Sequence, residues 1–424
     1  MGETLIIAGG RVLDPATGED EVRDVIVSGR VFAKDVPHGA SPLRYDARGK
    51  WVMPGLIDVH AHFREPGHIE AETLLSGAQA AAHGGFTQIV TMPNTQPPRD
   101  APERIAAERD VSSRLPVELW PAGCCTVGRA GEQPAPLRAL YVAGARAVTD
   151  DGATVARDDV MEQVMREAAA LDIVVMDHAV NPAIAQNGII RDCAVARRHA
   201  LAVFPAEAEV KAVERDIALA KKTGCRLHLQ HLSCKQSVAL LAKARREGVA
   251  VTGEATPHHL ALSTEDIPGD DAAWKMNPPL GTPEDVAALR AAVKDGVITI
   301  CATDHAPHGA AAKAGGFATG AFGVIGLETA VGASMKALME EGSVSLLQWV
   351  ACWTTAPAAL LKLPTPSLAP GNRADATIVA PEHYRFDRSM IASKSCNTPF
   401  LNRELFGRVT ATLRGGVFTY KERI

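Results

Sequence analysis

Residues 58–64 read Asp58-Val59-His60-Ala61-His62-Phe63-Arg64, and they close an apolar run that begins at Leu56. His60 and His62 are two positions apart, and side chains two positions apart on a strand point to the same face. Both imidazoles can therefore reach one metal ion. Such a pair also arises by chance or through packing, so its meaning depends on the polar residues that close the other apolar runs.

The middle of the chain alternates short apolar runs with amphipathic stretches, a pattern typical of βα units and a parallel sheet. It predicts eight strands, at Leu56–His62, Phe86–Met92, Val117–Ala122, Ala145–Thr149, Ile173–His178, Arg226–His231, Val249–Ala255 and Ile298–Thr303. It predicts helices between most of them, including Glu70–His83, Asp158–Ala170, Ala206–Lys222, Ser237–Glu247 and Pro283–Lys294. Eight such units favour a (β/α)₈ TIM-type barrel, and a doubly wound sheet is the alternative.

Both chain ends have a different pattern, with short β-rich runs punctuated by glycine and proline turns. The predicted strands are Leu5–Ala8, Val25–Ser28, Arg30–Ala33, Ala376–Ala380, Arg408–Arg414 and Val417–Tyr420. We interpret residues 1–54 and 366–424 as two parts of one small β-sandwich, and residues 55–365 as the barrel.

Polar residues follow the predicted strands at their carboxyl ends, the face on which barrel active sites are built. They include Asn94, Asp150, Asp151, His178, His231, Asp304 and His308. Histidine and carboxylate are ligands that zinc accepts. The His60–His62 pair together with His178, His231 and Asp304 at later strand ends therefore predicts a metal site much more strongly than the pair alone.

Other histidines near these positions receive a structural interpretation. His228 lies three residues before His231, so strand alternation points it to the opposite face. We expect it to pack or to support a ligand. His258 and His259 are expected to be structural or supporting, and His305 is turned away from the face of Asp304.

Composition excludes several functional classes. The chain has 424 residues, a net charge of −5, and eight cysteines, which are scattered and form no C-x-x-C pair. The charge argues against a broad nucleic-acid surface, and no apolar run is long enough to cross a membrane. The N-terminus lacks a signal-peptide pattern, and the cysteine spacing favours neither disulfides nor a cysteine zinc site. We therefore expect a cytoplasmic protein with reduced thiols.

Several motifs together resemble the long bacterial class of dihydroorotases, in the amidohydrolase superfamily. The resemblance spans nearly the whole chain. The motifs are His60-Ala61-His62-Phe63-Arg64-Glu65-Pro66-Gly67, Met92-Pro93-Asn94-Thr95, Thr149-Asp150-Asp151-Gly152, Asn277-Pro278-Pro279-Leu280, Ala302-Thr303-Asp304-His305-Ala306-Pro307-His308, Gly326-Leu327-Glu328-Thr329 and Ser393-Lys394-Ser395-Cys396-Asn397-Thr398-Pro399-Phe400.

This resemblance implies a barrel with a terminal β-sandwich and one or two zinc ions. It also implies reversible interconversion of N-carbamoyl-L-aspartate and L-dihydroorotate in pyrimidine synthesis. It further implies a homo-oligomer, most simply a dimer, and aspartate transcarbamoylase as a candidate partner.

The resemblance also assigns roles to residues. His60 and His62 would bind one zinc with Asp151, His178 and His231 would bind a second, and Asp151 would bridge the two. Asp304 would be both a ligand and the catalytic acid/base. We prefer Asp151 to Asp150 because it lies 27 residues before His178, as in the family pattern.

Four residues would hold the substrate, namely Arg64, Asn94, Asn277 and His308. Arg64 offers a planar fork that suits a carboxylate, and its position two residues after His62 gives it the strand face of the ligands. An ordinary salt bridge is the alternative for Arg64. The Ala- and Gly-rich segment Ala310–Gly320 is interpreted as a mobile lid, with a plain surface loop as the alternative.

The chain departs from the family pattern at two places. It has Ala179-Val180-Asn181 where the family usually has Cys-Glu-Asp, and Gly281 where it usually has arginine. These departures put the support of the site and the substrate preference in question.

Two other functions stay open. A hydantoinase, dihydropyrimidinase or allantoinase would usually carry a carboxylated lysine after strand 4, where this chain has Asp150-Asp151. A weakly active or inactive partner subunit of aspartate transcarbamoylase should have lost its metal ligands, and this chain keeps them.

Overall fold

The computed structural model describes residues 4–422 and contains a closed barrel of eight parallel strands. In chain order the barrel strands are Leu56–Ala61, Phe86–Thr91, Glu118–Pro121, Ala147–Val148, Val174–Asp177, Leu227–Leu229, Val251–Ala255 and Ile300–Cys301. They pair as a three-stranded and a five-stranded parallel sheet. A bridge from Gly123 to Val148 joins the two sheets, and a bridge from Ala61 to His305 closes the ring. The predicted barrel is therefore confirmed.

Helices connect the barrel strands and cover their outer surface. The α-helices are Leu74–His83, Pro102–Ser112, Leu137–Ala143, Asp158–Leu171, Pro182–Ala185, Ala194–Arg198, Glu207–Thr223, Lys235–Arg246, Pro257–Ala261, Pro283–Lys294, Gly316–Thr319, Ala330–Met335, Leu346–Trp353 and Thr355–Leu361. Single turns of 3₁₀-helix lie at Val127–Arg129, Thr264–Asp266, Ala272–Trp274 and Arg388–Met390, and a π-helical turn lies at Lys336–Glu340.

The first barrel helix begins later than the sequence suggested. It starts at Leu74 rather than Glu70, because Thr73 adopts an extended conformation and its hydroxyl accepts a hydrogen bond from the Ser76 amide. Such a cap satisfies an amide that has no partner within the helix, and so it sets the helix start.

The two chain ends form one eight-stranded mixed sheet with its own apolar core. Its strands are Thr4–Asp14, Glu19–Ser28, Val31–Ala33, Leu43–Asp46, Trp51–Pro54, Ala376–Arg385, Glu404–Arg414 and Val417–Lys421. Strands Trp51–Pro54 and Ala376–Arg385 pair antiparallel and join the two chain ends. The predicted small domain built from both termini is therefore confirmed.

One part of the C-terminal segment leaves this sheet and packs on the mouth of the barrel. The Asn397 side chain accepts a hydrogen bond from the His308 amide at 3.1 Å, and the Ser393 hydroxyl donates to the buried Glu72. We therefore propose domain boundaries near residues 54/55 and 365/366, with residues 386–403 serving the barrel.

No helix within residues 4–422 is long and apolar enough to cross a membrane. All eight cysteines fall in this range, and all of them are free thiols.

Candidate active site

His60 and His62 sit at the carboxyl end of the first barrel strand and direct their Nε2 atoms toward two carboxylates. His60 is 0% exposed and His62 5% exposed. The Nε2 of His60 lies 3.4 Å from an oxygen of Asp151 and 3.4 Å from an oxygen of Asp304. For the Nε2 of His62 the same distances are 3.3 and 3.1 Å. Residues more than 240 positions apart in the sequence thus meet at one point because parallel strands end on one face.

His178 and His231 approach the same aspartate from strands 5 and 6. The Nδ1 of His178 lies 3.6 Å from Asp151 Oδ1, and the Nε2 of His231 lies 3.8 Å from it. These two ring nitrogens are 2.7 Å apart, so both face the same point beside Asp151. Asp151 is therefore shared by two groups of possible metal ligands, one with His60 and His62 and one with His178 and His231.

Asp150 is turned away from this point. Its carboxylate accepts hydrogen bonds from the amides of Cys125 and Thr126 at 2.9 and 3.2 Å, and from the Thr126 hydroxyl. Neighbouring residues in an extended segment face opposite sides, so Asp151 alone reaches the histidines.

The donor set fits a zinc ion. Tetrahedral zinc with ligands at about 2.0–2.1 Å holds its donor atoms about 3.3 Å apart, close to the distances measured from His60 and His62. The Nε2 of His60 is also fully buried without a hydrogen-bond partner. An unsatisfied buried nitrogen is unfavourable, and a metal ion in contact with this Nε2 would satisfy it.

Burial and mutual charge set the protonation of these groups. Burial opposes the charge on His60, but Asp151, Glu254 and Asp304 outweigh it and raise its pKa well above the usual value. Burial also opposes ionisation of Asp304, yet His60 and His62 outweigh that effect and keep its pKa below the usual value. Burial and the neighbouring His231 lower the pKa of His178 to about 3, so this imidazole is neutral, as a metal ligand must be.

The cluster opens into a small polar cavity of about 230 Å³, and all four predicted substrate residues line it. The Asn94 side-chain oxygen lies 2.9 Å from His62 Nδ1, which leaves its NH₂ group free to donate. The Asn277 side chain lies 3.0 Å from His178 Nε2. Both amides therefore link the histidine cluster to the cavity.

Arg64 forms the cationic side of the cavity. Its Nη2 lies 3.2 Å from His308 Nε2, and its Nε donates to the Pro307 carbonyl at 3.2 Å. Since a guanidinium only donates, His308 accepts through Nε2. Burial, with the charges of Arg64 and Lys313, lowers the pKa of His308 to about 3, so its ring is neutral beside Arg64.

Three residues of the site have a backbone in the left-handed region. The φ angles are +56° at Arg64, +30° at His231 and +45° at Asp304. L-residues adopt this region rarely, and such strain persists where the surroundings fix it, often at functional positions.

Sequence reasoning missed two residues that touch the cluster. Glu254, on barrel strand 7, lies between His60 and His228. Arg129 donates from Nη2 to the carbonyls of Asp150 and Asp151 at 3.0 and 2.6 Å. A glutamate inside a buried strand is itself a signal that could have identified Glu254, whereas nothing in the local sequence pointed to Arg129.

His258, His259 and His305 are all buried. His259 lies 3.0 Å from the Pro278 carbonyl, and His305 pairs with Glu72 at 3.4 Å. His258 Nε2 is buried without a partner, but His258 does not line the cavity.

Neither departure from the family pattern lines the cavity. Asn181 caps the helix Pro182–Ala185 by accepting from the amides of Ala183 and Ile184. Gly281 is packed so tightly that an added Cβ would lie 2.7 Å from both Asp285 Cβ and the Ser233 carbonyl oxygen. A side chain at Gly281 would therefore require the neighbouring loop to move.

The segment Ala310–Gly320 also stays outside the cavity lining. It contains the helical turn Gly316–Thr319 with Phe317 1% exposed, and Lys313 Nζ donates to the Ala321 carbonyl at 2.8 Å. The next residues, Phe322 and Gly323, are the ones that line the cavity. The predicted lid therefore stays a prediction.

Comparisons with known proteins agree with this geometry. A family model described as dihydro-orotase-like matches residues 49–237. The dihydroorotase of Pelotomaculum thermopropionicum is 40% identical and the alignment covers 99% of both chains. That of Anaeromyxobacter dehalogenans is 39% identical over 100% of this chain and 99% of the other.

Solved structures give the same fold. The L-hydantoinase (dihydropyrimidinase) from Arthrobacter aurescens is 25% identical with a TM-score of 0.88, covering 99% of this chain and 96% of its own. The D-hydantoinase from Bacillus sp. AR9 is 25% identical with a TM-score of 0.83, covering 98% and 95%. With relatives about 40% identical along its full length, the chain belongs to the dihydroorotase family of cyclic amide hydrolases.

Proposed function

We propose that this protein is a zinc-dependent dihydroorotase that interconverts N-carbamoyl-L-aspartate and L-dihydroorotate. One observation carries the proposal. The two His/Asp groups that share Asp151 open into the same small cavity as the half-buried cation Arg64. A hydrolytic metal centre beside a carboxylate-binding arginine suits a cyclic amide that carries a carboxylate.

His60, His62, Asp151, His178, His231 and Asp304 would hold one or two zinc ions. When bound, zinc would supply Lewis-acid chemistry, which activates water and polarises a carbonyl.

Asp304 would move the proton. Its depressed pKa keeps it ionised at neutral pH, so its carboxylate can accept a proton from the attacking water. The same carboxylate can then deliver that proton to the departing ring nitrogen. In the biosynthetic direction Asp304 would take the proton from the ureido nitrogen as the ring closes.

Arg64 would orient the substrate by pairing with its carboxylate through two parallel N–H···O bonds. The free NH₂ group of Asn94 and the side chain of Asn277 would donate to ring carbonyls. His308, neutral and in contact with Arg64, would fix the orientation of the guanidinium.

A hydantoinase-like activity is less well supported. No lysine lines the cavity among residues 4–422, and the position after strand 4 that would carry one holds Asp150 and Asp151. An inactive partner subunit is disfavoured because the chain retains all six residues that are proposed as ligands.

A substrate panel tests the proposal. Zinc-loaded protein should open L-dihydroorotate and leave hydantoin, dihydrouracil and allantoin nearly untouched. Metal-loaded protein that fails to turn over dihydroorotate would refute the proposed function.

The resemblance further leads us to propose a cytoplasmic homodimer, with aspartate transcarbamoylase as a candidate partner. The free cysteines support a reducing compartment. Light scattering of the purified protein, alone and mixed with the transcarbamoylase, tests both assemblies.

A further inference from the structure

Glu254 is a carboxylate with no exposure to solvent, and it lies between Gly253 and Ala255 near the end of barrel strand 7. A buried carboxylate is costly unless several donors satisfy it. The cavity lining does not include it, so it is placed behind the metal-binding groups rather than among them.

One oxygen of Glu254 fixes His60. Glu254 Oε1 lies 2.7 Å from His60 Nδ1, and an ionised carboxylate can only accept, so Nδ1 must carry the proton. The Gln230 amide nitrogen is also near Nδ1, but at 3.2 Å. With Nδ1 held by Glu254, Nε2 is the ring nitrogen that is available to a metal ion, and it is the buried nitrogen without a partner that faces Asp151 and Asp304.

The same oxygen also holds the backbone of His231. The His231 amide donates to Glu254 Oε1 at 3.1 Å, at a residue whose φ is +30°. Such a conformation needs support from its surroundings. One atom therefore contacts one ligand from each of the two groups that share Asp151.

The second oxygen anchors the carboxylate itself. Glu254 Oε2 lies 2.9 Å from His228 Nε2, and His228 Nδ1 lies 2.8 Å from the Thr252 hydroxyl. These two hydrogen bonds fix the rotation of the Glu254 carboxylate. They also give His228 the supporting position that strand alternation predicted.

We propose that Glu254 is a positioning residue that couples the two metal subsites by holding the ring of His60 and the backbone of His231 at once. The proposal rests on the zinc site of the proposed function. Hydrogen-bond partners of metal-bound histidines fix ring orientation, and losing one typically weakens metal binding about 10- to 100-fold. Because Glu254 serves both subsites, its loss should weaken both.

The test uses the full-length protein with Glu254→Gln, which keeps the shape but removes the negative charge and one of the two acceptor oxygens. Zinc affinity of the metal-free protein is measured by competition with a chromophoric chelator, and the visible spectrum of the cobalt-loaded form reports ligand geometry. We expect zinc affinity to fall about 10- to 100-fold, an altered cobalt spectrum, and at saturating zinc a lower kcat with KM unchanged.

Glu108→Gln is the matched control. Glu108 is another buried carboxylate that pairs with a buried arginine, Arg99, and contacts no proposed ligand. It should lower thermal stability with zinc affinity retained. Glu254→Asp keeps the charge but is one methylene too short to span its partners, so its zinc affinity should lie between those of Glu254→Gln and the wild type. If neither Glu254 variant folds, His228→Asn is measured in their place.

Three results would overturn the proposal. The first is that Glu254→Gln keeps the zinc affinity and the cobalt spectrum of the wild type. The second is that Glu108→Gln loses as much zinc affinity as Glu254→Gln. The third applies if neither Glu254 variant folds, and it is that His228→Asn keeps the zinc affinity of the wild type. Wild-type protein that binds no metal would instead refute the zinc site and the proposed function with it, so the two failures are distinguishable.

Discussion

The floor and the wall of the cavity are built in different ways. The floor consists of side chains at barrel strand ends, including His60, His178 and Asp151, and each of these is at most 5% exposed. The wall consists of Arg64, Asn94, Asn277 and His308, which lie on loops after the strands. A rigid scaffold thus fixes the reacting groups, while loops supply the groups that select the ligand.

This difference has a consequence for function. Substitutions of floor residues should lower kcat or metal affinity, and substitutions of wall residues should raise KM. Neither departure from the family pattern lines the cavity, so we expect both to affect stability more than catalysis.

Removing the metal should have the largest effect. Dialysis against a chelator should abolish turnover of dihydroorotate, because the histidine and aspartate cluster would lose the Lewis acid that we propose for it. Activity is measured before and after zinc is added back, and it should return. Full activity in protein shown to be metal-free would contradict a catalytic role for a metal bound by the floor residues.

Asp304→Asn should come next. General acid–base groups typically contribute about 10²- to 10⁴-fold to rate, so kcat should fall by that amount while zinc content stays near normal. Steady-state kinetics and metal analysis check this. Near-normal kcat would mean that another group moves the proton.

Arg64→Ala should affect the wall alone. Loss of charge-assisted hydrogen bonds worth about 1.5–3 kcal/mol should raise KM for dihydroorotate about 10- to 100-fold, with bound zinc unchanged. Arg64→Lys is the matched control, and it should give an intermediate KM because it keeps the charge and loses the planar fork. An unchanged KM in Arg64→Ala would remove this residue from carboxylate binding.

Gly281→Ala should have the smallest effect on catalysis. Its Cβ would press on Asp285 and the Ser233 carbonyl, and such overpacking typically costs about 1–3 kcal/mol of stability. Thermal unfolding should therefore shift downward with KM unchanged. A raised KM with normal stability would mean that Gly281 contributes to the substrate-binding wall.

The fold and the floor could be predicted from the sequence for one physical reason. Strand periodicity and the positions of strand ends can be read from the local sequence. In a parallel barrel all strands end on the same face, so residues at those ends come together. His60, His62 and Asp304 are therefore visible in the sequence, whereas the choice of Asp151 over Asp150 came from the family resemblance, through its spacing of 27 residues to His178.

The support behind the floor could not be predicted in the same way. Glu254 reaches His60 across 194 positions of sequence, and Arg129 reaches backbone carbonyls that no motif marks. The tight packing around Gly281 likewise depends on a loop and a helix that meet only in the folded chain.

The most direct test of the whole site is a crystal structure measured at the zinc absorption edge with L-dihydroorotate bound. We expect an anomalous peak between the imidazoles of His60 and His62 and the carboxylate of Asp151, with the substrate carboxylate paired to Arg64. Zinc bound elsewhere, or a substrate carboxylate turned away from Arg64, would contradict the proposed site.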